Sequence, residues 1–140
     1  MAHFRAELER RVREQIERRL DGVRERVERE TKDAAPKDEG TLYASISAAT
    51  FAPDGLARYR GSITATAPHA SYTDEGTGIY GPWGTRITAR AGGVLVFFWK
   101  YGPRGSDNYA YRSVAGQPAQ RWFAEPMPTR YADAVAAEFG

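Results

Sequence analysis

The chain of 140 residues contains no cysteine and only two histidines, His3 and His69. Without cysteine it can form neither a disulfide bond nor a thiolate zinc site, and a reducing environment suits it. Metal-binding motifs of the HxH, HExxH and CxxC type are also absent from the sequence. We expect both histidines to lie in a turn or on the surface, because His3 begins a charged segment and His69 follows Pro68. The sequence therefore predicts no metal site and no cofactor.

Long apolar runs are missing as well. The longest, VLVFFW at 94–99, is far shorter than the roughly 20 residues that a membrane-spanning helix needs. The first residues, MAHFRAELERRVRE, lack the apolar core of a signal peptide. We therefore expect no membrane partner and no signal-directed secretion.

Catalytic patterns are not recognisable either. Asp74 and Glu75 are adjacent, and neighbours on an extended strand point to opposite faces, whereas acid–base catalysis needs groups that converge on one substrate. The GTGIYG stretch at 76–81 lacks the Lys-Ser/Thr pair of a phosphate-binding loop, and no serine stands in a G-x-S-x-G turn. We expect no catalytic residues and no enzyme activity, and no nucleophile–base set supports a small hydrolase.

The net charge of +2 is small, but the charges are unevenly placed. Residues 1–32 hold ten Arg or Lys and eight Asp or Glu, and the remaining residues hold ten of each sign. Interleaved signs along one segment are typical of a solvated helix face with ion pairs. This pattern does not indicate a basic groove, and a small nucleic-acid-binding module that uses this segment stays as the alternative from another functional class.

Residues 2 to about 33 predict one long helix with a single apolar stripe. Apolar residues recur there at steps of three or four: Phe4, Leu8, Val12, Ile16, Leu20, Val23 and Val27. Pro36 ends the helix, because the residue before a proline avoids helical angles. The helix should be on the order of 45 Å long, longer than the ~27 Å diameter of a compact domain built from the rest of the chain. We expect residues 1–34 to project in part, and a neighbouring subunit to cover Phe4, Leu8, Val12 and Ile16.

The region 36–100 predicts a small β-sheet. Residues 41–50 and 57–67 alternate and are separated by a turn, which indicates a hairpin. A short helical turn at the start of the first strand is an alternative. A short strand is expected at 86–90, and the apolar run 93–100 predicts a strand in the centre of the sheet.

The last forty residues predict a loop and a closing helix. Residues 101–120 are polar and rich in turn formers, which is typical of a long loop. Residues 121–140 form the C-terminal segment, with a short helix from about 129 to 138. The predicted fold class is α+β in a single domain: a long N-terminal helix, a small antiparallel sheet of three to five strands with a long loop, and a short C-terminal helix.

Residues 69–84, HASYTDEGTGIYGPWG, are the densest stretch of aromatic, acidic and glycine residues. We expect a strand that ends at the acids and then a sharp turn at the glycines. Tyr80 and Trp83, with Asp74 or Glu75, would then face an adjacent subunit; the alternative is that Trp83 covers its own core. Since tyrosine and tryptophan are favoured at interfaces, the candidate interface residues here and in the loop are Tyr72, Asp74, Glu75, Tyr80, Trp83, Tyr109 and Tyr111.

The order of these segments resembles a known family. After the charged helix come PKDEGTLYASI at 36–46, a hairpin, HASYTDEGTG at 69–78, an aromatic strand, and AEPMPTRYADAV at 124–135. The arrangement is similar to the small head–tail joining, or tail-completion, proteins of long-tailed bacteriophages, and the likeness covers most of the chain.

The resemblance implies a non-enzymatic protein of the virion neck that is made in the cytoplasm of the host bacterium. Copies of the chain, six in number, would form a ring between head and tail, next to connector, stopper, tail-terminator or tail-tube proteins. Contact with DNA in the lumen of the ring would be transient. A tail terminator or a stopper ring of the same neck is the near alternative.

Overall fold

The computed structural model describes residues 2–36, 40–55, 57–89 and 93–140, with the side chains of residues 99–102 left undescribed. The fold class is α+β, as the sequence predicts. The chain divides into two compact units, Met1–Ala70 with Trp122–Gly140, and Ser71–Arg121.

The first unit is built on α1, which spans Ala2–Ala34 and confirms the long N-terminal helix. A short helix, α2 (Thr41–Ser45), leads into strand β1 (Ile46–Pro53), so the expected strand does begin with a helical turn. Strand β2 (Tyr59–Ala65) pairs antiparallel with β1, with Ile46 opposite Ala65 and Ala48 opposite Ile63. The predicted hairpin is therefore confirmed, and α4 (Met127–Phe139) closes the unit as the expected C-terminal helix.

Two groups of apolar side chains hold the first unit together. One joins α1 to α4 through Val23, Val27 and Ala134, all with no exposed surface. The other lies under α2 and the hairpin and includes Leu42, Ile46 and Trp122, each at most 4% exposed. Burying one such valine, leucine or isoleucine stabilises the fold by about 1.5–3 kcal/mol. The C-terminal half of α1 is thus fixed by packing against β1 and α4.

A polar contact also ties α1 to the hairpin. The Glu28 carboxylate accepts hydrogen bonds from the Ala48 backbone N–H at 3.2 Å and from the Lys32 ammonium at 3.1 Å. Burial alone would raise the pKa of Glu28, but these bonds and the charges of Lys32 and Arg24 outweigh it, so the pKa is lowered. The folded unit therefore favours the ionised carboxylate.

In the second unit, the stretch predicted to end a strand is a helix, α3 (Ala70–Glu75). Gly76 stops it with a φ of +84° and donates its N–H to the Tyr72 carbonyl at 3.0 Å. A 3₁₀ turn follows at Gly78–Tyr80. The strand prediction is wrong because six residues are too few for a helical period to show, and the contacts that fix the helix end come from residues far along the chain.

Strands β3 (Ile87–Thr88), β4 (Leu95–Gly102), β5 (Gly105–Tyr111) and β6 (Ser113–Val114) complete the second unit. β3 confirms the short strand expected at 86–90. β5 and β6 correct the predicted loop 101–120, which is reduced to a turn at 103–104, a bend at 112 and the irregular stretch 115–120. Pro103 and Arg104 form the turn that joins β4 to β5, and the three polar residues of β5 come before its two tyrosines, Tyr109 and Tyr111.

The strands do not form one sheet of three to five members. Those that the structure describes pair into three two-stranded antiparallel sheets, β1–β2, β3–β6 and β4–β5. β4 is therefore part of a ribbon and not the centre of a sheet. An isolated two-stranded ribbon is marginally stable at best in water, so the aromatic packing on one of its faces matters.

Candidate interaction surfaces

The first candidate surface is the N-terminal part of the α1 apolar stripe, consisting of Phe4, Leu8, Val12 and Ile16, hereafter the N-terminal stripe. Phe4, Leu8 and Val12 are 72%, 52% and 50% exposed, and Ile16 is half-buried. All described residues from Ala2 to Arg19 are exposed or half-buried. The stripe thus presents four consecutive apolar side chains at one-turn spacing to solvent.

An open groove, hereafter the terminal groove, lies where α4 ends against α1. It is lined by Arg11, Val12, Gln15, Ile16, Arg19 and Phe139. Arg19 holds the end of α4 by donating from Nη1 to the Glu138 carbonyl at 3.1 Å, and its guanidinium lies 5.7 Å from the centre of the Phe139 ring. The groove therefore has an apolar floor that continues the α1–α4 packing, with arginines at its sides.

Ion pairs cover much of the remaining surface of this part of α1. Arg5 Nε lies 3.1 Å from Glu9, Arg11 Nε lies 2.8 Å from Glu7, and Arg10 Nη2 lies 2.7 Å from Glu7. Hydrogen bonds from Arg10 and Arg11 lower the pKa of Glu7. Ion pairs thus form along this part of the helix, as the interleaved charges predict, and they involve Arg5, Arg10 and Arg11.

The third candidate surface, hereafter the aromatic corner, consists of Tyr72, Glu75, Tyr80 and Trp83. Tyr72, Tyr80 and Trp83 are 60%, 48% and 89% exposed, and Glu75 is also exposed. In this structure Trp83 does not cover the core of its own chain. The aromatic corner instead offers rings and a carboxylate to solvent.

Backbone hydrogen bonds and a close approach at Gly78 hold the aromatic corner in place. Thr77 donates its N–H to the Gln117 carbonyl at 2.9 Å, and Ile79 donates to the Ala115 carbonyl at 2.8 Å. A Cβ placed on Gly78 would lie 1.9 Å from the Ala115 carbonyl oxygen, so no other residue fits there without a backbone shift. The turn that carries Trp83 is closed by a hydrogen bond from Gly84 N–H to the Gly81 carbonyl at 3.1 Å.

Two of the sequence-predicted interface residues lie inside the second unit. Asp74 is 8% exposed and Tyr109 is 3% exposed. The Tyr109 hydroxyl donates to the Gly105 carbonyl at 2.9 Å and accepts the Arg104 backbone N–H at 2.6 Å. Tyr111 is 37% exposed, and its ring stacks on Tyr109 and Phe97. Because both side chains are almost completely buried in the folded chain, we assign neither Asp74 nor Tyr109 to an interface.

Sequence reasoning missed one exposed apolar face. Val94, Val96 and Phe98, on and just before β4, are 54%, 68% and 65% exposed. Phe97 lies on the opposite face, where it stacks on Tyr111 at 5.9 Å between ring centres. The sequence carries no sign of this alternation, because residues 94–99, VLVFFW, are all apolar, and such an unbroken run favours a strand in the centre of a sheet.

The part of the chain that the structure describes contains no cluster of three or more His, Asp or Glu residues that could hold a metal ion. Within the same residues, no helix combines the length and apolar character needed to span a bilayer. No protein-family model, curated protein or solved structure matches the chain.

Proposed function

We propose that the chain is a structural subunit of the neck of a long-tailed bacteriophage, where copies of it form a ring of six that joins the head connector to the tail. Two considerations support the proposal. One is the resemblance of the motif order to head–tail joining proteins. The other is the set of apolar surfaces that the folded chain leaves exposed.

The N-terminal stripe carries the proposal. Soluble monomers rarely expose large contiguous apolar patches, and such patches usually mark sites of protein interaction. The N-terminal stripe extends over four turns of α1 and is exposed by half or more at Phe4, Leu8 and Val12. A second protein surface that covers these side chains removes them from water, and each fully covered side chain contributes about 1.5–3 kcal/mol.

A ring requires two different surfaces on each copy, since one patch must contact a different patch on the next copy. The chain offers the N-terminal stripe in the first unit and the aromatic corner in the second. A chain with a single self-complementary patch would instead form dimers about a two-fold axis. The two distinct exposed surfaces therefore meet the requirement that a ring places on each copy.

The ion pairs of α1 bear on the nucleic-acid-binding alternative. Phosphate contacts need basic side chains that release counterions. Arg5, Arg10 and Arg11 pair with Glu7 or Glu9, whereas Arg13 and Arg18 of this part of α1 are exposed and stand outside the ion pairs of the described residues. Weak contact with DNA that passes through the lumen fits this mixed charge better than tight binding does. The geometry gives no specific support to a dedicated nucleic-acid-binding module.

The mass of the native particle tests the proposal, measured for the chain alone and with candidate connector and tail-tube proteins. We expect a ring, either alone or on the partner, and we expect Val12→Asp to abolish it. Ala6→Asp is the matched control, because Ala6 is exposed on another side of the same helix. Binding to the end of a tail tube would identify a terminator, and binding to the connector a stopper.

A monomer under all of these conditions would contradict the neck assignment. If the monomer also bound DNA with a steep dependence on salt, the nucleic-acid-binding alternative would replace it.

A further inference from the structure

We infer that Trp83 of one copy occupies the terminal groove of a second copy. The inference rests on the proposed ring and identifies the two surfaces that would contact each other between neighbouring copies. It commits the apolar groove to one occupant, the indole ring of the neighbouring subunit.

The terminal groove is shaped and charged for an aromatic guest. Its floor consists of Val12, Ile16 and Phe139, and it begins where the α1–α4 packing of the same chain stops. A guest side chain would continue that packing along α1. The groove is open enough to admit a large flat ring and apolar enough to gain by covering its floor.

The two arginines of the groove favour a tryptophan over an aliphatic guest. A guanidinium is attracted to the face of an aromatic ring, and tryptophan gives the strongest such attraction. Arg19 already makes this kind of contact with Phe139, 5.7 Å from the ring centre. Arg11 lies on the same groove, and Glu7, at 2.8 Å from Arg11, is the acidic group that faces it.

Trp83 is the guest that the chain presents. At 89% exposed, it is the most exposed of the large hydrophobic residues that the structure describes. It stands in a tight turn closed by the Gly84–Gly81 hydrogen bond, which limits the backbone freedom that is lost on binding. Glu75, exposed in the same aromatic corner, brings negative charge toward Arg19, whose guanidinium donates to the Glu138 carbonyl.

Other occupants fit less well. Two N-terminal stripes in contact would form a two-fold dimer and leave the aromatic corner uncovered. The exposed face of β4, with Val94, Val96 and Phe98, is apolar but has no acidic residue in that row to set against Arg11 and Arg19. In the Trp83 contact each copy donates one ring and fills one groove, which is the contact between unlike patches that a ring requires.

Two complementary variants test the inference. Trp83→Ala removes the guest and keeps the groove, and Ile16→Arg blocks the groove and keeps the guest. Each variant alone should fail to assemble, with the dissociation constant raised at least about tenfold, as expected for a tryptophan at the centre of an interface. Mixed in equal amounts, they should form a one-to-one pair and nothing larger, because only one intact contact is possible.

Matched controls use equally exposed positions elsewhere. Phe98→Ala removes an exposed aromatic ring from β4, and Ala6→Arg adds a charge to α1 away from the N-terminal stripe. Both should assemble like the unchanged chain. Far-ultraviolet circular dichroism should show all four variants folded, since each altered side chain is exposed or half-buried.

The outcomes separate the inference from the proposed function. Rings that persist in Trp83→Ala, or a mixture that forms no pair, would overturn the groove contact and leave the neck assignment standing. Loss of assembly in Phe98→Ala alone would place β4 at the interface instead and also overturn it. An unchanged chain that never assembles, with or without neck partners, would remove both.

Discussion

The two halves of α1 have the same spacing of apolar residues but different surroundings. In the C-terminal half, Val23 and Val27 are completely buried under α4 and the hairpin. In the N-terminal half, Leu8 and Val12 stand about half exposed. The spacing of apolar residues therefore indicates that a helix face is to be covered, but not whether its own chain or another chain covers it.

The difference assigns separate roles to the two halves. The C-terminal half contributes to the stability of the folded chain. The N-terminal half contributes little to that stability. In our proposal it stabilises the assembly instead, because a second protein surface covers its apolar side chains. Changes at matched positions in the two halves should therefore separate folding from association.

The largest difference in stability is expected between two aspartate variants, one in each half of α1. Val27→Asp puts an unpaired charge and a poor fit into a fully buried site, and should lower the free energy of unfolding by about 4 kcal/mol or more. Since a typical domain is stable by only about 5–15 kcal/mol, the variant should be largely unfolded or marginal. Urea denaturation followed by circular dichroism measures this.

Val12→Asp is the counterpart in the exposed half. It should change the free energy of unfolding of the monomer by no more than about 0.5 kcal/mol, as is usual at exposed positions. An equal loss of stability in both variants would show that the N-terminal half also packs on its own chain.

A smaller effect is expected from pH, through Glu28 in the covered half. Because the pKa of Glu28 is lower in the folded chain than in the unfolded chain, its stabilising contribution is present above the ordinary glutamate range and is lost as pH falls through the folded pKa. Acidification below about pH 4 should therefore weaken the contact between α1 and β1.

Glu28→Gln isolates this contribution. The variant should be less stable by about 1 kcal/mol near neutral pH and should lose less stability on acidification than the unchanged chain. Urea denaturation at several pH values measures both quantities. Identical pH profiles for the two proteins would assign the acid sensitivity to other carboxylates.

The smallest effect is expected from the exposed ion pairs. The Arg5–Glu9 pair lies at 3.1 Å with side chains 84% and 64% exposed, whereas the Arg26–Glu30 pair lies at 2.9 Å with 33% and 35% exposed. Arg5→Ala should change the unfolding free energy by about 0.3 kcal/mol or less, and Arg26→Ala by somewhat more. Thermal melts at low and high salt compare the two variants. A larger effect for Arg5→Ala would contradict the expectation that ion pairs in the C-terminal half of α1 contribute more to stability.

The helices and the first hairpin could be predicted because their signals are local. α1 and α4 show helical spacing over many residues, and the β1–β2 hairpin alternates on both sides of a turn. α3 could not be predicted in this way, since its end is set by contacts of Gly76 and Thr77 with residues 117–119. β5 could not be predicted because it begins with glycine and three consecutive polar residues, which are typical of a loop.

The sequence could indicate which residues are candidates for the interaction surfaces, but not which of them the folded chain exposes. The spacing singled out Phe4, Leu8 and Val12, and composition singled out Trp83. Whether a side chain is exposed depends on which elements pack over it, and this is a tertiary property. For that reason Tyr109, buried at 3% exposure, and Trp83, exposed at 89%, could not be told apart from the sequence.

The lack of cysteine in the chain allows a direct test of the central idea, that assembly covers the N-terminal stripe. A single Val12→Cys substitution can be labelled with a thiol reagent without background, and Ala6→Cys provides an exposed control on the same helix. The rate of labelling is measured for the dilute monomer and for the assembled particle. The account predicts that labelling at residue 12 slows at least about tenfold on assembly while labelling at residue 6 does not; equal rates at residue 12 in both states would contradict it.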